Sequence, residues 1–144
     1  EELTSAGTSI FMSGSYVGSD LLNNPDSTAI KFAAKHLHFI PRTGHAVKKG
    51  EVYATDYAKS SFEGDYAFNT DYSENIYSVE APDGIEPGGA GAVCAFRYRE
   101  TNASAGIMFN GNPRTVILGF PFETIIDPGE RNLLMKQVLK FFEK

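Results

Sequence analysis

The stretch Thr8 to Leu22, TSIFMSGSYVGSDLL, constrains the fold of this chain more than any other segment. Ser9 to Met12 predicts a short buried strand. Ser13-Gly14-Ser15 predicts a sharp turn, and Tyr16 to Leu22 a helical start. A strand that passes into a helix through small residues is the layout of a nucleophile elbow. Such a turn holds a side chain at the C-terminal edge of a parallel sheet, facing the amides of the next helix. A functional site in this chain is therefore expected there.

The chain of 144 residues suits one domain with one sizeable core. Hydrophobic residues make up 42% and charged residues 22%, an ordinary globular balance. A net charge of -5 and a pI near 5.1 argue against nucleic acid or an anionic membrane surface as partner, since both require a basic face. No segment approaches the ~20 apolar residues of a membrane span. The chain does not begin with Met, so the lack of a leader peptide carries no information about compartment. Glu1-Glu2-Leu3 reads as the last turn of a helix ended by Gly7. In an α/β sheet earlier strands precede such a helix, so the chain is expected to lack N-terminal βα units of its domain. An exposed sheet edge left by their absence would favour a homodimer. The single cysteine, Cys94, excludes an internal disulfide and lies in the apolar run Ala92 to Phe96, where a buried inert thiol is expected.

Beyond the elbow, Asn24 is placed to cap a helix with Pro25 at its first position. Ala29, Phe32, Ala33 and Leu37 recur at helical spacing and predict one face packed on the sheet. His36, His38 and His45 are not spaced as zinc ligands. From Phe39 to Pro87 short segments alternate with Gly, Asp, Asn and Ser breakers. Phe39 to Val47, Glu51 to Thr55, Asp65 to Phe68 and Asn75 to Glu80 predict antiparallel strands between long loops. Tyrosines and acids are dense here. Tyr66 and Tyr72 are candidate sugar-stacking residues, although tyrosine is also common in any half-buried sheet. Asp65, Asn69 and Asp71 offer oxygen ligands for calcium but lack the glycine and closing glutamate of a helix-loop-helix calcium loop. Pro82-Asp83-Gly84 and Pro87-Gly88-Gly89 predict turns. The second is not a phosphate cradle, because no helix, lysine or Ser/Thr follows it.

The last third predicts three strands, Ala92 to Arg99, Ala105 to Phe109 and Arg114 to Gly119. Thr101-Asn102-Ala103 turns the first pair, and Asn110-Gly111 predicts a tight hairpin turn in the second. Asp127-Pro128-Gly129-Glu130 has the order of a capping box and opens a final helix with Leu134, Val138, Phe141 and Phe142 on its core face.

The SIFMSGSYVGSDLL elbow and the late RTVILGFPFETI strand with its capped helix together resemble the class I glutamine amidotransferase-like fold. More narrowly, they resemble the amidotransferase-like domain of large secreted bacterial proteins described as xanthan lyases. The resemblance implies a three-layer flavodoxin-like α/β domain, its sheet mixed by an antiparallel C-terminal meander. It implies other domains of a larger parent chain as partners, polysaccharide as a ligand class, a periplasmic, cell-surface or secreted location, and no cofactor. In active amidotransferases the elbow carries a cysteine, and a histidine follows the last strand. Here the elbow position falls on Ser13, Gly14 or Ser15, and Glu123 stands at the histidine position of Gly119-Phe120-Pro121-Phe122-Glu123.

That replacement removes the thiolate-imidazole pair. A serine hydroxyl needs an adjacent base to become a useful nucleophile, and a carboxylate is a poor base unless burial raises its pKa. Three functions follow. The first is a non-catalytic amidotransferase-like module, a pseudoenzyme in which Gly14 and Tyr16 contact ligand and the helix-start amides, with Ser13 and Ser15, hold a small anion. The second is a serine-dependent hydrolase or polysaccharide lyase, using Ser13 or Ser15 with Glu123, or Tyr66 or Tyr72 with Arg97 or Arg99. The third is a carbohydrate-binding surface on the tyrosine-rich strands.

Overall fold

The computed structural model describes residues 6–23 and 27–143. The capping pair Asn24-Pro25 and the expected terminal helical turn at Glu1-Glu2-Leu3 lie outside the described residues.

The fold is mixed α/β. A six-stranded mixed sheet runs in the order β1 (Ile10–Ser13), β8 (Thr115–Leu118), β7 (Ser104–Phe109), β6 (Ala92–Tyr98), β3 (Glu51–Ala54), β4 (Asp65–Ala67). β1 pairs with β8 in parallel, Ile10 opposite Thr115 through Ser13 opposite Leu118. All other pairs in this sheet are antiparallel. A separate two-stranded ribbon pairs β2 (Phe39–Thr43) with β5 (Gly84–Pro87). Three short helical segments lie beside β1 and β2 in the chain: α1 (Ser19–Asn23), α2 (Ser27–Phe32) and a π-helical turn (Ala33–Leu37). The final helix, α3 (Pro128–Glu143), closes the chain.

The meander β6-β7-β8 forms because its sequence is a nearly continuous apolar run, as strands covered on both faces require. Its residues feed two cores, alternating strictly along β8. Val116, Leu118, Ala105 and Met108 join Phe62, Phe96, Tyr98, Phe120 and the α3 residues Leu134, Val138 and Phe141. Ile107 and Ile117 point the other way, to Ala33, Phe39 and Ile85, with Met12, Val17, Leu21 and Leu37 packed against them. The sheet is thus covered by α3 on one face and by the short helices and the β2-β5 ribbon on the other. Register shifts in β6 between Cys94 and Arg97 mark bulges, which bend a strand.

α3 begins as its sequence dictates. Asp127 Oδ1 accepts the Glu130 amide at 3.0 Å. The reciprocal half of the capping box is absent, because Glu130 Oε2 instead accepts the Ala67 amide at 3.2 Å and ties the helix to β4.

Several expectations are corrected. Asn75 to Glu80 forms no strand. Buried Asn69 organises that loop instead, donating Nδ2 to the carbonyls of Asp71 (2.7 Å) and Ile76 (2.8 Å), while Val79 N–H bonds Asn69 O. Gly84 to Pro87, expected to join two turns, is a strand. The β7-β8 hairpin exists, but its turn is not the tight Asn-Gly type. The ladder stops at the Phe109–Thr115 pair, since Pro113 has no N–H to extend it, and Arg114 Nε closes the connection onto Asn110 Oδ1 at 3.1 Å. Phe32, placed on the sheet-packing face by its spacing, is exposed, its ring lying against that of His36 at 4.9 Å rather than in the core. Cys94 is buried as expected, and burial raises its thiol pKa.

Candidate functional site

β1 ends at Ser13 and α1 begins at Ser19, so the elbow is the segment between them. Its sharpest point is Tyr16, with φ 66°, the only described residue of the turn in the left-handed region. A side chain in that conformation costs roughly 1–2 kcal/mol relative to ordinary backbone. A nucleophile elbow places its reacting residue on a strained turn of this kind, flanked by glycines two residues away on each side. Gly14-Ser15-Tyr16-Val17-Gly18 fits that frame, with tyrosine at the central position. The paired glycines and the left-handed φ put Tyr16, rather than Ser13, Gly14 or Ser15, at the centre of this turn.

Ser13 is occupied elsewhere. Its Oγ accepts the Phe122 amide at 3.3 Å and joins the end of β1 to the turn after β8. Glu123 lies on the 3₁₀ turn Phe122–Thr124. Its Oε1 accepts the phenolic hydroxyl of Tyr77 at 2.7 Å. Burial, then the hydrogen bond and the charge of Glu123, push the Tyr77 phenol up to about 12. Tyr77 is therefore a neutral donor, and one carboxylate oxygen of Glu123 is engaged.

Gly14, Ser15, Tyr16, Tyr77, Glu80 and Glu123 border one cleft of about 380 Å³. The structure thus gathers the elbow, Glu123 and part of the β4-β5 connection. That connection is held in place by the Phe68–Ile125 bridge and by Asn69 N–H to Thr124 O at 2.9 Å. Tyr77 and Glu80 were not singled out as site residues, because Asn75 to Glu80 reads as a strand rather than as a loop that reaches the elbow.

A buried carboxylate supports the elbow from beneath. Asp83 is 0% exposed and its Oδ2 accepts the Gly18 amide at 2.7 Å. Its backbone is equally committed: Asp83 N–H donates to Gly119 O at 2.6 Å, and Tyr98 Oη donates to Asp83 O at 2.7 Å. Burial raises the Asp83 pKa against the opposing pull of the Gly18 amide and of Ser19. Ser19 acts at longer range, since neither its hydroxyl nor Asp83 Oδ1 meets a partner in hydrogen-bond geometry.

This corrects the anion-site expectation. The helix starts at Ser19 rather than Tyr16, and the amide at its threshold already faces an internal carboxylate.

The remaining candidates lie apart from the cleft. Tyr66 is 3% exposed in the main core, its hydroxyl donating to Glu63 O at 2.6 Å, so its ring is unavailable to stack on a sugar. Tyr72 is 89% exposed on the loop. Arg97 donates to Asn102 O at 2.6 Å, and Arg99 pairs with Asp65 at 2.8 Å and lies over the Tyr53 ring. Neither arginine borders the cleft. Of the calcium candidates, Asp65 faces Arg99, and the Asn69 amide is spent within its loop. His38 stacks on Phe109 at 3.6 Å, and His45 Nδ1 lies 3.3 Å from Glu80 O.

No family model, curated protein or solved structure matches this chain.

Proposed function

We propose that this chain is a non-catalytic amidotransferase-like module with flavodoxin-like layering, serving a larger polysaccharide-processing or cell-surface protein through ligand contact at its elbow. One observation carries the reading: the left-handed elbow position is held by Tyr16. A phenol there, with no imidazole among the residues bordering the cleft, lacks the base that would make an oxygen nucleophile. Glu123 supports the same conclusion, since its carboxylate orients Tyr77 through a hydrogen bond. Core packing on both faces of the sheet supports the layered fold.

The test is covalent labelling. The folded chain is incubated with a serine-reactive fluorophosphonate and mapped by peptide mass spectrometry. Ser13 and Ser15 stay unlabelled if the module is non-catalytic. Stoichiometric labelling of either one, abolished in Glu123→Gln, would establish the hydrolase reading instead.

A further inference from the structure

The two edges of the six-stranded sheet are finished differently. β4 is closed by the chain itself. Ala67 O accepts the Ile126 amide at 2.8 Å, Ala67 N–H donates to Glu130 Oε2 at 3.2 Å, and Phe68 bridges to Ile125. β1 ends the strand order at the other side, and among the described residues no strand covers it. Its inner edge is spent on β8. Ile10 N–H donates to Arg114 O at 2.9 Å, in a ladder that sets Ile10 opposite Thr115 and Met12 opposite Ile117. In a parallel ladder alternate residues turn both backbone groups to the same neighbour. The N–H and C=O of Phe11 and Ser13 therefore point away from β8, on a strand whose four residues are all only half-buried. Open edges of this kind are templates for pairing with another strand.

An apolar groove of about 600 Å³ lies against the same strand. Met12 borders it together with Leu21, Phe32, Leu37 and Tyr16, and of these Phe32 and Tyr16 are exposed. Edge and groove together specify the occupant. A lone extended peptide would fill the ladder and leave most of the groove in water. A second copy brings a strand and an apolar wall at once. A twofold axis normal to the sheet sets β1 antiparallel to its symmetry mate and keeps both grooves on the same face of the joined sheet. The register that spends both outward residues is centred on Met12, with Phe11 opposite the partner's Ser13. Residues so opposed exchange two N–H···O bonds, and the twofold repeats them. Met12 then meets its own symmetry mate where the two grooves adjoin. We propose that this face is a self-association surface, on which two copies of the chain pair β1 with β1 and cover each other's apolar groove.

The experiment is sedimentation velocity of the full chain from about 1 to 500 μM, with residue-resolved amide exchange over the same range. The expected result is a concentration-dependent rise to twice the 15.7 kDa mass of the chain. Across that rise, exchange at Phe11 and Ser13 slows about fivefold, while Ile10, already bonded to Arg114 O, keeps its rate. Phe32→Lys, a change at an exposed position, weakens the dimer about tenfold and leaves the circular dichroism unchanged. A monomer at every concentration overturns the proposal. So does a dimer in which exchange at Phe11 and Ser13 stays the same, or one that a folded Phe32→Lys chain forms equally well. Protection of Phe11 and Ser13 already present in the most dilute monomer would assign the edge to a segment of the chain itself, and overturns it too.

Discussion

Asp83 Oδ2 lies 2.7 Å from the amide of Gly18, and that single bond joins the floor of the elbow to the strand ribbon that covers one face of the sheet. Removing the side chain leaves a buried donor unpaired, which costs about 1–3 kcal/mol. Asp83→Ala should therefore lower the urea midpoint, whereas Asp83→Asn keeps an acceptor and removes a buried charge. Burial raises the Asp83 pKa, so the native state binds more protons than the unfolded chain over the window above the ordinary carboxylate value of about 3.9. Stability from this group is thus greatest in acid and declines as pH rises through its folded pKa. Urea unfolding from pH 4 to pH 7 should show Asp83→Asn gaining on the native chain as pH rises. A constant difference between the two would contradict the raised pKa.

At Tyr16 the backbone favours glycine. Tyr16→Gly and Tyr16→Ala both remove the ring, but only glycine relieves the left-handed strain. The glycine variant should be the more stable of the two by about 1 kcal/mol, the reverse of their usual order. Thermal and urea unfolding of the pair measure this directly. Alanine matching or exceeding glycine would mean that the turn carries no strain.

Tyr77 should ionise late. Its phenol is pushed up to about 12, so the ultraviolet phenolate titration of Tyr77→Phe should show a smaller component near that pH than the native chain does. Tyr66, raised to about 12 by burial and by Glu63, remains in both samples as an internal reference. Because the folded pKa exceeds the unfolded value near 10, the native state keeps its proton longer. Stability linked to Tyr77 is lost as pH climbs from about 10 to about 12. Loss of an early component instead would place Tyr77 away from Glu123.

Gly119 is required for close approach. A Cβ there would collide with the carbonyl oxygen of Asp83, which is fixed by Tyr98 and by its own strand contacts. Gly119→Ala should destabilise by about 3 kcal/mol, the upper end of overpacking costs. It should also perturb Gly18 in an amide spectrum, since Asp83 links the two positions. A neutral effect on stability would show that the ribbon shifts freely against β8.

The parts of this fold that are readable in the sequence are those set by local chemistry. The Asp127 cap, the α3 face of Leu134, Val138 and Phe141, and the apolar strands of the meander each follow from a few adjacent residues. The parts that were not readable depend on distant partners. Asn69 organises its loop with one amide, and nothing around it distinguishes it from any other loop asparagine. Asp83 reads as a turn residue after proline, yet it is buried because β5 lies under the elbow. The same holds for the site. Its strand-turn-helix shape is written in the residues 8–22, but Tyr77 and Glu80 come from a segment that reads as a strand and forms a loop, and Tyr66 is indistinguishable by type from an exposed tyrosine.

The acid beneath the turn also limits what re-engineering can recover. Thiols at helix starts become reactive because unsatisfied N–H groups and positive partial charge favour the thiolate. Here the threshold amide is already matched by Asp83, and the border of the cleft adds Glu80 and Glu123. Tyr16→Cys would place sulfur at the apex yet leave it in a negative field, so an alkylating reagent should modify it no faster than an ordinary surface cysteine.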